Sequence, residues 1–254
     1  MPPPPLPNLG NSCYMNASIQ LLRCLPWKQP LPPLVQRLVR GDARAVKGEM
    51  GRAHRAFAGC GQQDAHEFMV AFLDRVDPKQ TLLDHGTIES YVKCQTTDDE
   101  SRVDESFLIL SLPLPERRAR LQLDDCVHEL QQEEVLRGDE VWRSPTAERR
   151  RVTPLASTKG MRVTRWPRGA VVFHLKRFGS DRSKRRDPVG CPREWNGSTL
   201  RAFVIHQGVY GGGHYVAAMR EGTQWYMCND SRVSRLPEAA IEPLLSQSYI
   251  LLYA

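Results

Sequence analysis

Asn8-Leu9-Gly10-Asn11-Ser12-Cys13-Tyr14-Met15-Asn16-Ala17-Ser18-Ile19-Gln20-Leu21-Leu22 reads as a loop running into a helix. Gly10 and Asn11 are turn formers, and Asn or Ser before an apolar run is an N-cap signal. Met15, Ile19 and Leu22 recur at i, i+4 and i+7, so one face of the helix is apolar. Cys13 falls in the first turn. The unpaired N–H groups and the positive dipole end there favour a thiolate. A small buried hydrophobe is the plainer reading of an isolated cysteine. The rest of the chain decides between the two.

The second helix starts after Gly59-Cys60-Gly61. Gln62-Gln63-Asp64-Ala65-His66-Glu67 opens it, and Phe68, Met69, Phe72, Leu73 and Val76 form its apolar stripe. Carboxylates in a first turn suit the helix dipole. They can equally hold a basic peptide. Residues 1–7 are proline-rich and read as a stiff, extended lead-in. Leu34 to Val39 forms another short helix.

From Thr87 the periodicity becomes two. Strands are expected at Phe107 to Leu114, Ala170 to Phe178, Ala202 to His206, Tyr215 to Arg220, Gln224 to Cys228 and Tyr249 to Tyr253. Short helices are expected at Leu121 to Leu130 and Glu238 to Leu245. Arg143 to Gly160 reads as loop or hairpin, and residues 179–190 as a charged loop. A helical first part against a mostly antiparallel sheet is an α+β fold.

Gly211-Gly212-Gly213-His214-Tyr215 places a histidine where a glycine loop enters a strand. No Gly-Lys-Ser/Thr follows, which excludes a phosphate loop. Asn229 and Asp230 lie just past the next strand, and a hairpin would bring Asn229 beside His214. A cysteine far upstream of a histidine and an asparagine is the thiol-protease arrangement. The thiolate attacks a carbonyl, the histidine carries the proton, and the amide oxygen fixes the tautomer.

The chain has 254 residues, 41% of them hydrophobic, which suffices for a substantial core. No apolar run approaches the roughly 20 residues of a membrane helix. Met1 and its four following prolines lack the regions of a signal peptide, so an intracellular protein, cytoplasmic or nuclear, is expected. Seven scattered cysteines fit a reducing compartment. The net charge of +6 is concentrated in runs such as Arg149 to Arg151 and Arg182 to Arg186. No nucleic-acid motif accompanies them, and they read as solvated loops.

Six stretches, in order, resemble the ubiquitin-specific proteases, the papain-like cysteine deubiquitinases. They are Asn8 to Asn16, Gln62 to Phe68, His174-Leu-Lys-Arg-Phe178, Gly212-Gly-His214-Tyr215, Trp225 with Asn229 to Ser231, and Tyr249 to Tyr253. The resemblance implies one catalytic domain over 1–254 with a right-hand architecture. A helical thumb would take about 1–86, and an antiparallel β palm and β fingers about 87–254. It implies Cys13 as nucleophile, His214 as base, Asn229 as orienting residue and Asn8 as oxyanion donor, with Asp230 in support. Gln63, Asp64, Glu67, Phe68, Gly212, Gly213 and Tyr215 would bind substrate. Asp64 and Glu67 would meet the arginines of the ubiquitin tail, and the glycines would admit its closing Gly-Gly. The loops at 179–190 and 207–213 would match mobile loops flanking the cleft.

Most of that family holds zinc in the fingers with two Cys-x-x-Cys pairs. Here Cys94 is followed by Thr97, the second pair is missing near Trp142 to Ala147, and Cys126-Val-His128 and Cys191 lack ligand spacing. Reduced, zinc-free fingers and no cofactor are expected. The function expected is hydrolysis after the C-terminal glycine of ubiquitin, with ubiquitin and ubiquitinated proteins as partners and the chain a monomer. Alternatives are a protease for another ubiquitin-like modifier, a catalytically weak ubiquitin-binding module, or a basic nucleic-acid binder with salt-sensitive affinity.

Overall fold

The computed structural model describes residues 1–116 and 120–254. Helices α1 (Cys13–Leu22), α2 (Pro33–Arg40), α3 (Ala43–Ala53) and α4 (Ala65–Val76) come first. Strands β1 (Gly86–Cys94), β2 (Glu100–Phe107), β3 (Ile109–Leu112) and β4 (Leu121–Gln122) follow, then α5 (Leu123–Leu130) and β5 (Glu134–Arg137). Next are α6 (Pro145–Arg150), β6 (Ala156–Arg165), β7 (Val171–Leu175), β8 (Val189–Gly190) and β9 (Glu194–Trp195). The chain closes with β10 (Ser198–Val209), β11 (Gly212–Glu221), β12 (Gln224–Asn229), β13 (Arg232–Leu236), α7 (Glu238–Leu245) and β14 (Ser248–Tyr253). The fold is α+β.

The main sheet runs β13-β12-β11-β10-β14-β7-β3, with β9 paired to β10. Only β3 and β7 are parallel within it. Both faces are covered, which is why its central strands read as continuous apolar runs. Val172, Ala202, Val204, Ala217, Ile250 and Leu252 point to the helices. Val171, Phe173, Phe203, Val216, Leu251 and Tyr253 point to the opposite core with α5 and α7. The alternation follows the two-residue period of a strand. A second sheet, β2-β1-β6-β5, stands apart and keeps most of its side chains in contact with solvent.

α1 is the central helix. Every residue in it is buried, not one face alone. Its polar side chains are hydrogen-bonded there through all their polar groups but Asn16 Oδ1, which is buried without a partner. Ser18 Oγ donates to Tyr14 O and Ala65 O, Gln20 Nε2 donates to Pro4 O, and Asn16 Nδ2 donates to Pro7 O and Asp230. The proline-rich start is therefore built into the fold. Leu6 is wholly buried, and its N–H donates to Asp230 O at 3.0 Å.

Candidate active site

A cleft of about 400 Å³ opens between the helices and the main sheet. Cys13, Gln62, Gln63, Asp64, His66 and Glu67 line it from the helical side. His174, Phe178, His206, Gly211 to Gly213, Tyr215 and Tyr249 line it from the sheet.

Cys13 is the first residue of α1. Ser12 holds the N-cap position, but its hydroxyl turns back to accept from Leu9 N–H at 2.7 Å. The backbone amides of Tyr215, on β11, and of Tyr14 and Cys13, in the first turn, favour the thiolate. All three lower the thiol's pKa. Burial outweighs them, and the nearby Asp230 charge adds to it, so the thiol sits above its ordinary value. The helix terminus alone does not deliver a thiolate here, contrary to the expectation from sequence.

His214 lies at the start of β11. β11 and β12 form the anticipated hairpin, with Ala217 opposite Cys228. It sets His214 Nε2 2.7 Å from Asn229 Oδ1. An amide oxygen only accepts, so Nε2 carries a proton in this bond. Asp230, in the left-handed region at φ 51°, follows at once. Its carboxylate accepts from Asn8 Nδ2 and from Asn16 Nδ2, each at 2.8 Å. Asn8 Oδ1 in turn accepts from Gly10 N–H and Ser12 N–H. The sequence reading assigned nothing to Asn16. Its spacing of three from Cys13, one helical turn, was the available signal.

The glycine stretch is not a loop. Val209 pairs with Gly212 and Gly208 with Gly213, so 207–213 is the end of the β10–β11 hairpin, turning at Tyr210 and Gly211. Gly213 is required by close approach, because a Cβ there would lie 2.3 Å from His206 Nε2. Lys184 Nζ, from the charged 179–190 segment, donates to His206 O at 2.6 Å and fastens that segment to the hairpin.

The substrate-binding set divides. Gln63, Glu67, Gly212 and Gly213 face the cleft. Phe68 does not: it is 0% exposed and packs against Tyr14, Phe57 and Phe72. Its position on the inner stripe of α4 makes it a core residue. Tyr215 is buried, with its hydroxyl on Asp64. Asp64 reaches the cleft wall, but both its oxygens already accept hydrogen bonds from the protein.

The sequence profile of the family described as ubiquitin carboxyl-terminal hydrolase matches residues 30–253. The chain belongs to that family. Human ubiquitin carboxyl-terminal hydrolase 21 is 33% identical over 201 residues, 72% of this chain and 34% of that protein. Ubiquitin carboxyl-terminal hydrolase Usp2 of Drosophila melanogaster is 30% identical over 98% of this chain and 34% of its own length. The chain thus spans about a third of the length of these family members. A solved structure of the SAGA DUB module, Ubp8/Sgf11/Sus1/Sgf73 bound to monoubiquitin, superposes with a TM-score of 0.79. At 22% identity, over 99% of this chain and 69% of that one, the likeness is one of fold.

Proposed function

We propose that the chain is a deubiquitinating cysteine protease, cutting the peptide or isopeptide bond after the C-terminal glycine of ubiquitin. The observation that carries this reading is that Cys13 shares its cleft with Tyr215, the residue that follows the Asn229-bound His214. His214 Nδ1 takes the thiol proton as sulfur attacks the glycine carbonyl. The tetrahedral oxygen is held by Cys13 N–H and the Asn8 amide. Collapse breaks the C–N bond, and the leaving amine takes the proton back from His214. Water, deprotonated by His214, then hydrolyses the thioester and frees Cys13.

Specificity follows from the walls. Gly212 and Gly213 leave room for a tail ending in Gly-Gly, and the exposed Glu67 offers a carboxylate to its arginines. In this reading residues 1–86 are the thumb, the main sheet is the palm, and β2-β1-β6-β5 are the fingers. Seven free cysteines suit action inside the cell, in cytoplasm or nucleus.

Zinc is not part of the proposal, because the donor set does not fit it. At the tip of the smaller sheet, Cys94 is the one sulfur beside Thr97, Ser144 and Ala147. Thr97 Oγ1 and Ser144 Oγ lie 2.8 Å apart, and Ser144 Oγ accepts from Ala147 N–H. Among the described residues no group of three His, Cys, Asp or Glu could hold a metal.

The test is mass spectrometry after incubation with ubiquitin bearing a thiol-reactive C-terminal warhead. A one-ubiquitin mass shift that is lost in Cys13→Ala is expected. Labelling only by another ubiquitin-like modifier would change the substrate, and no labelling of folded protein would end the reading.

A further inference from the structure

Asp64 caps α4. Its Oδ1 accepts from His66 N–H at 2.8 Å and Glu67 N–H at 3.1 Å. Its Oδ2 accepts from Tyr215 Oη at 2.7 Å and Tyr249 Oη at 2.8 Å. A carboxylate offers about four lone-pair sites, and these four donors take them all. An incoming guanidinium would have to displace one. The two hydroxyls come from β11 and β14, the strands on either side of β10. Both tyrosine rings are buried, so these are charge-assisted bonds sheltered from water.

The tie reaches the reacting groups by one step. Tyr215 follows His214 and lines the same cleft as Cys13. Gly213, on the other side of His214, is also held from this segment. Its N–H donates to Gln62 Oε1 at 3.2 Å, and its carbonyl accepts from Gln62 Nε2 at 3.4 Å. The segment entering α4 thus grips both residues that flank His214.

We propose that Asp64 is a positioning residue, which sets the Cys13–His214 pair through Tyr215 and Tyr249 and does not contact the substrate's arginines. The arginine contact then falls to Glu67, a division that rests on the proposed function, whereas the positioning does not. Charge near Cys13 comes also from Asp230, and the titratable groups about it include Tyr14, Tyr215 and, in the proposed pair, His214.

The experiment compares wild type with Asp64→Ser, which keeps a capping oxygen but is too short to reach the tyrosines, and with Tyr215→Phe/Tyr249→Phe, which keeps both rings. The first readout needs no ubiquitin: the rate of Cys13 alkylation by iodoacetamide against pH, followed by peptide mass spectrometry. The second is kcat and KM on a ubiquitin C-terminal amide, with its native tail and with the tail arginines changed to alanine. Melting temperatures establish that each variant is folded. Both variants are expected to alkylate about tenfold more slowly near neutral pH, with the midpoint moved up. Their kcat should fall roughly ten- to a hundredfold, as misplacement of reacting groups does, with KM nearly constant and the loss equal on both tails. A wild-type alkylation profile in the folded variants would overturn the proposal. So would a rise in KM for Asp64→Ser that vanishes on the arginine-free tail. Should Asp64→Ser fail to fold, the tyrosine pair alone decides. Should wild type turn over no ubiquitin substrate, the functional reading fails while the alkylation profile still decides the positioning.

Discussion

Asn8 donates its side-chain amide to Asp230 Oδ2 at 2.8 Å, across 222 residues of sequence. Asp230 is held from its other oxygen by Asn16, on the helix that carries Cys13. Asn8 is thus aimed by groups from both sides of the cleft. Asn8→Ala should cost about 3–4 kcal/mol of barrier, the usual loss for one oxyanion donor, in kcat rather than KM. Asp230→Asn should cost less, since Asn8 keeps its Gly10 and Ser12 bonds. The double variant should be no worse than Asn8→Ala, because the two residues act as one unit. Steady-state kinetics on a ubiquitin amide measures all three. An Asn8→Ala enzyme with near wild-type kcat would remove it from the mechanism.

The same Asp230 charge opposes ionisation of Cys13, after burial itself. The raised value favours the thiol over the thiolate, so Cys13 alkylation should need a higher pH than that of an ordinary cysteine. Asp230→Asn should lower that pH while slowing turnover, the two effects running in opposite directions. Parallel slowing of both would show that its charge does not act on the sulfur.

Sequence made the two ends of the candidate site legible, because a helix-opening cysteine and a hairpin histidine leave local patterns. It missed what depends on distant partners. Asp64 looked like a free acid, since the hydroxyls that occupy it lie 151 and 185 residues away. α3 escaped notice because its buried stripe of Ala43, Val46 and Met50 is interrupted by Gly48 and Gly51 among basic residues. β13, a short edge strand that stays mostly exposed, carries too little apolar pattern to announce itself. The stretch 143–160 reads as polar, yet holds α6 and the start of β6, whose solvent-facing positions carry its charges.

Phe68 illustrates the opposite error, a motif residue credited with a surface role. It is enclosed by Tyr14, Phe57 and Phe72 rings at centroid distances of 5.2 to 6.3 Å. Phe68→Ala should destabilise the chain by about 3–5 kcal/mol in urea unfolding. Phe68→Leu should lose less and, under folding conditions, keep KM unchanged. A KM effect in a fully folded Phe68→Leu enzyme would restore it to the substrate surface.

Four further thiols tie stability to pH. Burial pushes Cys126 up to about 11 and Cys24, Cys191 and Cys228 up to about 12. The folded values lie above the ordinary thiol value of about 8.5. Folding therefore favours the protonated thiols. That contribution is complete below the unfolded value and is lost as pH rises through it toward the folded one. The melting temperature should be level from about pH 6 to 8 and fall steadily above about pH 8.5. Cys191→Ala should flatten the fall. A melting temperature that is level to pH 10 would show these thiols ionising without opening the core.

The tip of the smaller sheet offers a direct chemical test of the zinc-free reading. Cys94 and Ser144 are 0% exposed and Ala147 is 1% exposed. The Thr97–Ser144 bond, with Asp99 accepting from Thr146 N–H and Oγ1, closes the two turns on each other. Strong chelators should therefore leave the melting temperature unchanged, whereas a protein folded by zinc would lose it. The spacing nevertheless sets positions 94, 97, 144 and 147 as two pairs of the kind zinc ribbons use. Thr97→Cys/Ser144→Cys/Ala147→Cys should take up one equivalent of zinc, and with cobalt should show the absorption of a tetrahedral thiolate site. Zinc bound stoichiometrically by the native chain, or no binding by the folded triple variant, would show that the hydrogen-bonded turns are not a substitute in place for the metal.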